Sequence, residues 1–144
     1  MLKICRDLNA LAARLKDPLL LVGRLLLSFI FLNSAYDRLT GGWDSSIQYM
    51  EQAGVPTVFL PLVTALELFG GLFLALGFLS RFSALALGVF SVVAGFVFFG
   101  DFSNDDDWIS FLDNITIAGG MLLVIGAGPG RWSIDEWLKL ERND

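Results

Sequence analysis

The chain has 144 residues, 55% of them hydrophobic, with a formal charge of −5 and a mean hydropathy of +0.65. An apolar load of this size, gathered into repeated long runs, exceeds that of an ordinary soluble domain. The absence of His and the presence of one cysteine, Cys5, exclude the usual haem and histidine-based metal ligation, iron–sulfur ligation and an intrachain thiol–disulfide relay.

At the N-terminus Ile4, Leu8, Leu11, Ala12 and Leu15 recur at helical spacing, with Lys3, Arg6, Arg14 and Lys16 between them. Residues 1–17 are therefore expected to form an amphipathic helix lying on the membrane surface, ended by Pro18. The first long apolar run follows, from Leu19 to Tyr36. As a signal peptide it lacks a small-residue cleavage site near its end, where Tyr36-Asp37-Arg38 stands. In the loop beyond, Asp44-Ser45 offers a helix start and Gly54-Val55-Pro56 a stop, so a short helix is expected there. It would turn Ile47, Tyr49 and Met50 to the membrane surface, with Trp43 as an interfacial anchor.

Three more apolar runs come after it, Val58–Leu79, Phe82–Phe99 and Ile109–Ala127. Each approaches the ~20 residues that a helix needs to cross a bilayer, and lipid leaves no partner for an open strand. The expected fold is all-α: a membrane four-helix bundle over residues 18–138, with a tail at 139–144. Gly70, Gly71 and Gly77 in the second run and Gly119, Gly120 and Gly126 in the fourth share one spacing. They mark small-residue strips for close helix approach and a trace of a duplicated hairpin.

Loop charges give the orientation. Lys3, Arg6, Arg14, Lys16, Arg81, Arg131, Lys139 and Arg142 lie in the N-terminal segment, the second turn and the tail. The other two loops carry only Arg38 against Asp37, Asp44, Glu51, Asp101 and the run Asp105-Asp106-Asp107. The excess of Lys and Arg places both termini in the cytoplasm. The acidic run reads as a solvated outer loop, and no metal site is assigned to it.

Ionisable residues within the runs carry the functional reading, because charge in hydrocarbon faces the bundle interior and has a partner. Glu67 lies nine residues along the second run, about 13 Å deep. Arg24 and Asn33 of the first run are its two expected partners, and Arg24 has the alternative of reaching the inner headgroups. Tyr36, Asp37 and Arg38 at the end of the first run, with Asp113 and Asn114 near the start of the fourth, are expected to line an outward-facing polar cleft above Glu67. A structural ion pair and a ligand or proton site both fit this set. Gly126-Ala-Gly-Pro-Gly130 lacks the lysine of a phosphate-binding loop, and no nucleic-acid partner is expected.

The run Arg24-Leu-Leu-Leu-Ser-Phe-Ile-Phe-Leu-Asn-Ser-Ala-Tyr-Asp-Arg38 resembles the opening of the DoxX family of small bacterial membrane proteins. The resemblance continues through Gly54-Val-Pro56, Leu66-Glu67-Leu-Phe-Gly70-Gly71 and Gly77-Phe-Leu-Ser-Arg81. Asp113-Asn114, Gly119-Gly120, Gly128-Pro129-Gly130-Arg131 and Ser133-Ile-Asp135 extend it, so that it covers roughly residues 20 to 138. It implies a four-helix protein of the bacterial inner membrane, whose relatives are linked to quinone-coupled oxidation of sulfur compounds or to complexes that handle oxidative or thiol stress. Asp113 stands where the family more often has a basic or neutral residue, which argues against a simple anion site.

Three functions follow as expectations. One is a quinone-linked membrane subunit of an oxidoreductase, using quinone as a diffusible carrier and Glu67 as its polar partner. The others are a non-catalytic anchor or assembly subunit, and a binder or carrier of a small lipophilic molecule. The expected partners are the lipid bilayer, other protein subunits and further copies of the chain. Orientation has a direct test. In Cys5→Ser protein, within cells whose outer membrane is permeable, a cysteine placed at Asp105 should react with a membrane-impermeant thiol reagent, and one in the tail should not. The opposite labelling pattern inverts the topology.

Overall fold

The computed structural model describes residues 1–140; residues 141–144, including Arg142 and most of the expected tail, lie outside the described residues. The fold is all-α. Helix α1 (Leu2–Arg14) precedes α2 (Lys16–Asp37), α3 (Trp43–Gln52), α4 (Leu60–Leu76), α5 (Ser80–Phe98), α6 (Asp105–Ala127) and the short α7 (Ile134–Trp137). Helices α2, α5 and α6, and α4 together with the helical turn Thr57–Phe59 before it, are long and apolar enough to cross a membrane. Many of their apolar side chains face outward, Leu26, Phe29, Leu62, Phe82, Leu122 and Leu123 among them. That outward apolar belt is what a bilayer solvates and water does not.

The four long helices form a ring in chain order. Contacts are most extensive between α5 and α6 and between α2 and α4, while α2 and α6 close the ring through a narrow seam. Without a hydrophobic force between helices in lipid, close packing of small residues holds the ring. A Cβ on Gly88 would stand 3.1 Å from Met121, and one on Gly95 would stand 3.2 Å from Asn114, so the tightest pair of helices meets across glycines. Gly70 faces Leu87, Gly71 faces Leu32 and Gly120 faces Leu27 in the same way. The expected symmetric strips are only half realised. Gly119 and Gly126 face open space, and Gly77 lies beyond α4 in the left-handed region (φ 70°) as its C-terminal cap. Phe31, Leu74, Ala84, Leu87, Met121 and Val124 form the buried core.

Element boundaries move in several places, and α6 begins at Asp105, which puts the acidic run Asp105-Asp106-Asp107 in its first turn rather than in a loop. Helix α1 ends at Arg14, and Pro18 sits in the first turn of α2, where its missing N–H is tolerated. Helix α3 begins at Trp43 rather than at an Asp44-Ser45 cap, because α2 runs on through a widened turn at Arg38–Gly42 that Gly41 (φ 145°) permits. The turn after α4 takes in Gly77–Leu79, which leaves Arg81 in the first turn of α5. The stop at Gly54 is as expected. Its N–H donates to Glu51 and that of Val55 to Met50, a Schellman closure.

The two ends of the bundle differ. At the end carrying both termini, Asp135 is wholly buried and accepts hydrogen bonds from the N–H groups of Leu79 (2.7 Å) and Ser80 (2.8 Å). Its own N–H donates to the Gly77 carbonyl at 2.8 Å. This clasp holds Leu79 at φ 46°, a conformation that disfavours a side chain by about 1–2 kcal/mol. Arg24, 1% exposed, donates to the carbonyls of Trp132 (2.5 Å) and Leu74 (3.4 Å), next to the same clasp. At the other end, Asp101 accepts from the N–H and hydroxyl of Ser103, which hold its carboxyl below the usual range. Asn104 caps α6 through the N–H of Asp106.

Asp135→Ala leaves two buried N–H donors without an acceptor and should destabilise the protein by about 2–4 kcal/mol. Denaturant unfolding in detergent, followed by the fluorescence of Trp132 and Trp137, measures the loss. Asp135→Asn, which keeps one acceptor, should recover part of it, and an unchanged midpoint for Asp135→Ala would remove the clasp from the account.

Candidate functional site

The end of the bundle away from the termini holds a cavity of about 520 Å³, within the range of small-molecule sites. Ser34 and Arg38 enter it from α2 and its continuation, and Glu67 from α4. Ser91 and Phe98 come from α5, and Ser110, Asp113 and Asn114 from α6. Helix α3 lies over it with Ser45, Ser46, Tyr49 and Met50. Apolar and aromatic side chains make up most of the remaining wall.

Helical spacing explains which α2 residues reach the cavity. Phe31, Ser34 and Arg38 stand at i, i+3 and i+7, on one face. Glu67 is buried on α4, seven residues beyond its start and so about 10 Å along it. Arg38 pairs with Glu67, Nη1 on Oε2, and its Nη2 donates to Oε1 at 3.4 Å. Ser34 ties the two together: its hydroxyl accepts from Arg38 at 3.0 Å and donates to Glu67 at 3.4 Å. The Arg38 side chain is 19% exposed and that of Glu67 6%, so both are largely withdrawn from solvent.

This arrangement corrects the expected pairing. Glu67 is partnered by neither Arg24 nor Asn33. Arg24 lies fourteen residues before Arg38 on the same helix, about 21 Å away along its axis, and the C-terminal segment supplies its acceptor. Asn33 donates instead to Asp37 one turn on, at 3.1 Å. Tyr36 and Asp37 are exposed on other faces of α2 and do not line the cavity. Of the expected site residues, Arg38, Glu67, Asp113 and Asn114 come together there. Arg24, Asn33, Tyr36 and Asp37 do not.

Helix α3 departs from its expected surface role as well. Met50 is buried, and Tyr49 stacks on Phe98 with ring centroids 5.2 Å apart. The offset-stacked geometry gives about 0.5–1.5 kcal/mol beyond burial and fastens α3 as a roof. The lining serines Ser34, Ser91 and Ser110 carried no sequence signal, because serine is common in transmembrane helices that pack closely. Asp135 was visible only as part of a family-like motif, with nothing local to show what it would bond. Asn114 donates to the Ser110 carbonyl at 3.0 Å, which leaves its side-chain oxygen available as an acceptor. Among the described residues no three acidic or cysteine side chains converge to hold a metal ion.

A double-mutant cycle tests the pair. Arg38→Met or Glu67→Leu alone should destabilise the protein by about 3–5 kcal/mol, because each leaves an uncompensated charge in the bundle. Replacing both with Arg38→Met and Glu67→Leu should restore most of that loss in detergent unfolding. Simple additivity of the two losses would show that the groups do not act as a pair.

Comparison with known proteins agrees with this architecture. A family model described as DoxX matches residues 19–100. Inner membrane protein YqjF of Escherichia coli is 40% identical over 125 residues, which cover 87% of this chain and 95% of that protein. Inner membrane protein YphA of the same organism is 29% identical over 127 residues, covering 83% and 90%. ER-derived vesicles protein ERV29 of Saccharomyces cerevisiae is 25% identical over 139 residues, 93% of this chain but 38% of its own length. No solved structure matches the chain. With the matched span covering most of the bundle, the chain belongs to the DoxX family and is an integral inner-membrane protein.

Proposed function

We propose that the chain is a quinone-binding membrane subunit of an oxidoreductase system, with the quinone headgroup seated in the cavity beneath α3. One observation carries this reading: a largely apolar cavity inside the bundle has polar groups on two different walls. Arg38 and Glu67 stand on the α2–α4 wall, and Ser110, Asp113 and Asn114 on the α6 wall. A quinone is a flat apolar ring with a carbonyl at each of two opposed positions. Arg38 donates to such a carbonyl, and Glu67 or Asp113 accepts from the corresponding hydroxyl of the quinol. Tyr49 and Phe98 supply aromatic faces for the ring.

Electrons would come from the cofactor of a partner subunit, since a chain with no His and one Cys offers no ordinary haem or iron–sulfur ligation of its own. The orientation that suits this role puts α3 and the cavity on the outer face and both termini in the cytoplasm, as the loop charges favour.

The test is extraction of the mildly solubilised protein and identification of bound lipophiles by mass spectrometry, beside a variant whose cavity is filled, Ala94→Trp. Quinone should accompany the wild type and be lost from a folded Ala94→Trp protein. Glu67→Gln keeps the volume and should retain quinone with weakened binding of a short-chain analogue. Equal quinone in wild type and filled variant defeats the proposal. A different lipophile that disappears from the filled variant would replace the quinone with a carrier role, the cavity remaining the site.

A further inference from the structure

The two polar walls of the cavity beneath α3 differ in what they leave unbonded. On the α2–α4 side Arg38, Glu67 and Ser34 bond one another, and the guanidinium and carboxylate cancel in charge. On the α6 side Asn114 donates to the Ser110 carbonyl at 3.0 Å and keeps its side-chain oxygen as an acceptor. Asp113 has no hydrogen-bond or ion-pair partner among the described residues. Among the described residues that line the cavity, Arg38 is the one cation, and Glu67 and Asp113 are the carboxylates. One negative charge is therefore left over, and it lies on Asp113. A carboxylate without its proton only accepts. The α6 wall thus offers two acceptor groups beside the adaptable hydroxyl of Ser110.

Helical spacing sets the level of that charge. Lower in the bundle α6 meets α2 where a Cβ on Gly120 would stand 2.9 Å from Leu27. Asp113 precedes Gly120 by seven residues and Ser34 follows Leu27 by seven. Seven residues are two turns, which return to the same helix face about 10 Å further along. Both side chains line the cavity, so they stand at one level on either side of the narrow α2–α6 seam. Asp113 is also exposed, which puts it at the opening of that seam.

We propose that the cavity selects the quinol over the quinone, with Asp113 as the residue that sets the preference; this rests on the quinone-site reading above. A quinone offers acceptors alone. With one carbonyl towards Arg38, its opposed carbonyl meets the Asp113 carboxylate, acceptor against acceptor. A quinol hydroxyl both donates and accepts. The hydroxyl near Arg38 accepts from the guanidinium, whose five N–H groups are not all taken by Glu67 and Ser34. The opposed hydroxyl donates to Asp113 in a charge-assisted bond. One such bond corresponds to a preference of about tenfold. For a two-electron couple, tenfold tighter quinol binding raises the potential of the bound pair by about 30 mV. Bound quinone is then easier to reduce than quinone free in the bilayer.

The experiment titrates the full chain, in a neutral detergent under anaerobic conditions, with decylubiquinone or with its quinol, followed by calorimetry. The wild type should bind the quinol about tenfold more tightly. Asp113→Asn keeps the shape but replaces one acceptor oxygen by an N–H donor, so the two forms should then bind within about twofold of each other. Asp113→Glu keeps a carboxylate and should keep a preference for the quinol. Comparing each variant with the wild type cancels the unequal partition of the two forms into micelles. Equal ratios in wild type and Asp113→Asn, or a quinone bound as tightly as the quinol by the wild type, overturn the selection and leave a quinone site standing. Binding of neither form defeats the quinone reading itself.

Discussion

The pairing of Arg38 with Glu67 is the constraint on which the cavity end of the molecule depends. Glu67 is fixed in the wall of α4, where leaving a lone carboxylate in hydrocarbon is expensive. Its partner comes from beyond the expected end of the first apolar run. Helix α2 must therefore stay helical past Asp37 to bring Arg38 inward, and it then has to change direction at once. The widened turn at Arg38–Gly42 does both, and Gly41 supplies the backbone conformation that the change of direction needs. Helix α3 follows directly from that turn, so the ion pair also sets where the roof of the cavity begins.

Arg24 and Asp135 solve the same electrostatic problem at the other end without forming a pair like it. Arg24 donates hydrogen bonds to backbone carbonyls, and Asp135 accepts hydrogen bonds from backbone N–H groups. Asp135 thereby satisfies N–H groups that the start of α5 leaves without partners. The C-terminal segment is stitched to α2, α4 and α5 in the process. The cavity end differs in that it keeps polar groups from three helices facing one larger open volume.

Much of the fold was legible because the bilayer imposes it. Length and hydropathy define the four spans with little regard to sequence detail, and loop glycines such as Gly54 and Gly77 announce their caps. Pairing between helices was less legible. Depth along the apolar runs puts Arg24 near Glu67, but the Trp132 carbonyl, delivered by a segment more than a hundred residues away, takes its guanidinium instead. Arg38 reads as the close of the first run, above Glu67 rather than paired with it, since Leu39-Thr40-Gly41-Gly42 follows it. The face on which a residue lies decided the rest. Asn33, Tyr36 and Asp37 are neighbours of Arg38 in sequence, but they point elsewhere around α2.

The ring is uneven in a way that bears on how the ligand proposed above would reach the cavity. Helices α5 and α6 are locked across Gly88 and Gly95, and α2 and α4 meet along much of their length, whereas α2 and α6 touch through a narrow seam around Leu27 and Gly120. A ligand of low water solubility partitions into the bilayer before it meets the protein, so a lateral path matters more to it than one through the polar loops. Separating α2 from α6 above Gly120 disturbs the least packing and leaves the Arg38–Glu67 pair intact, since both partners stay on the α2–α4 side. Opening the roof instead would break the Tyr49–Phe98 stack and bend the turn that carries Arg38. The packing therefore favours entry between α2 and α6, with α3 held as a fixed lid.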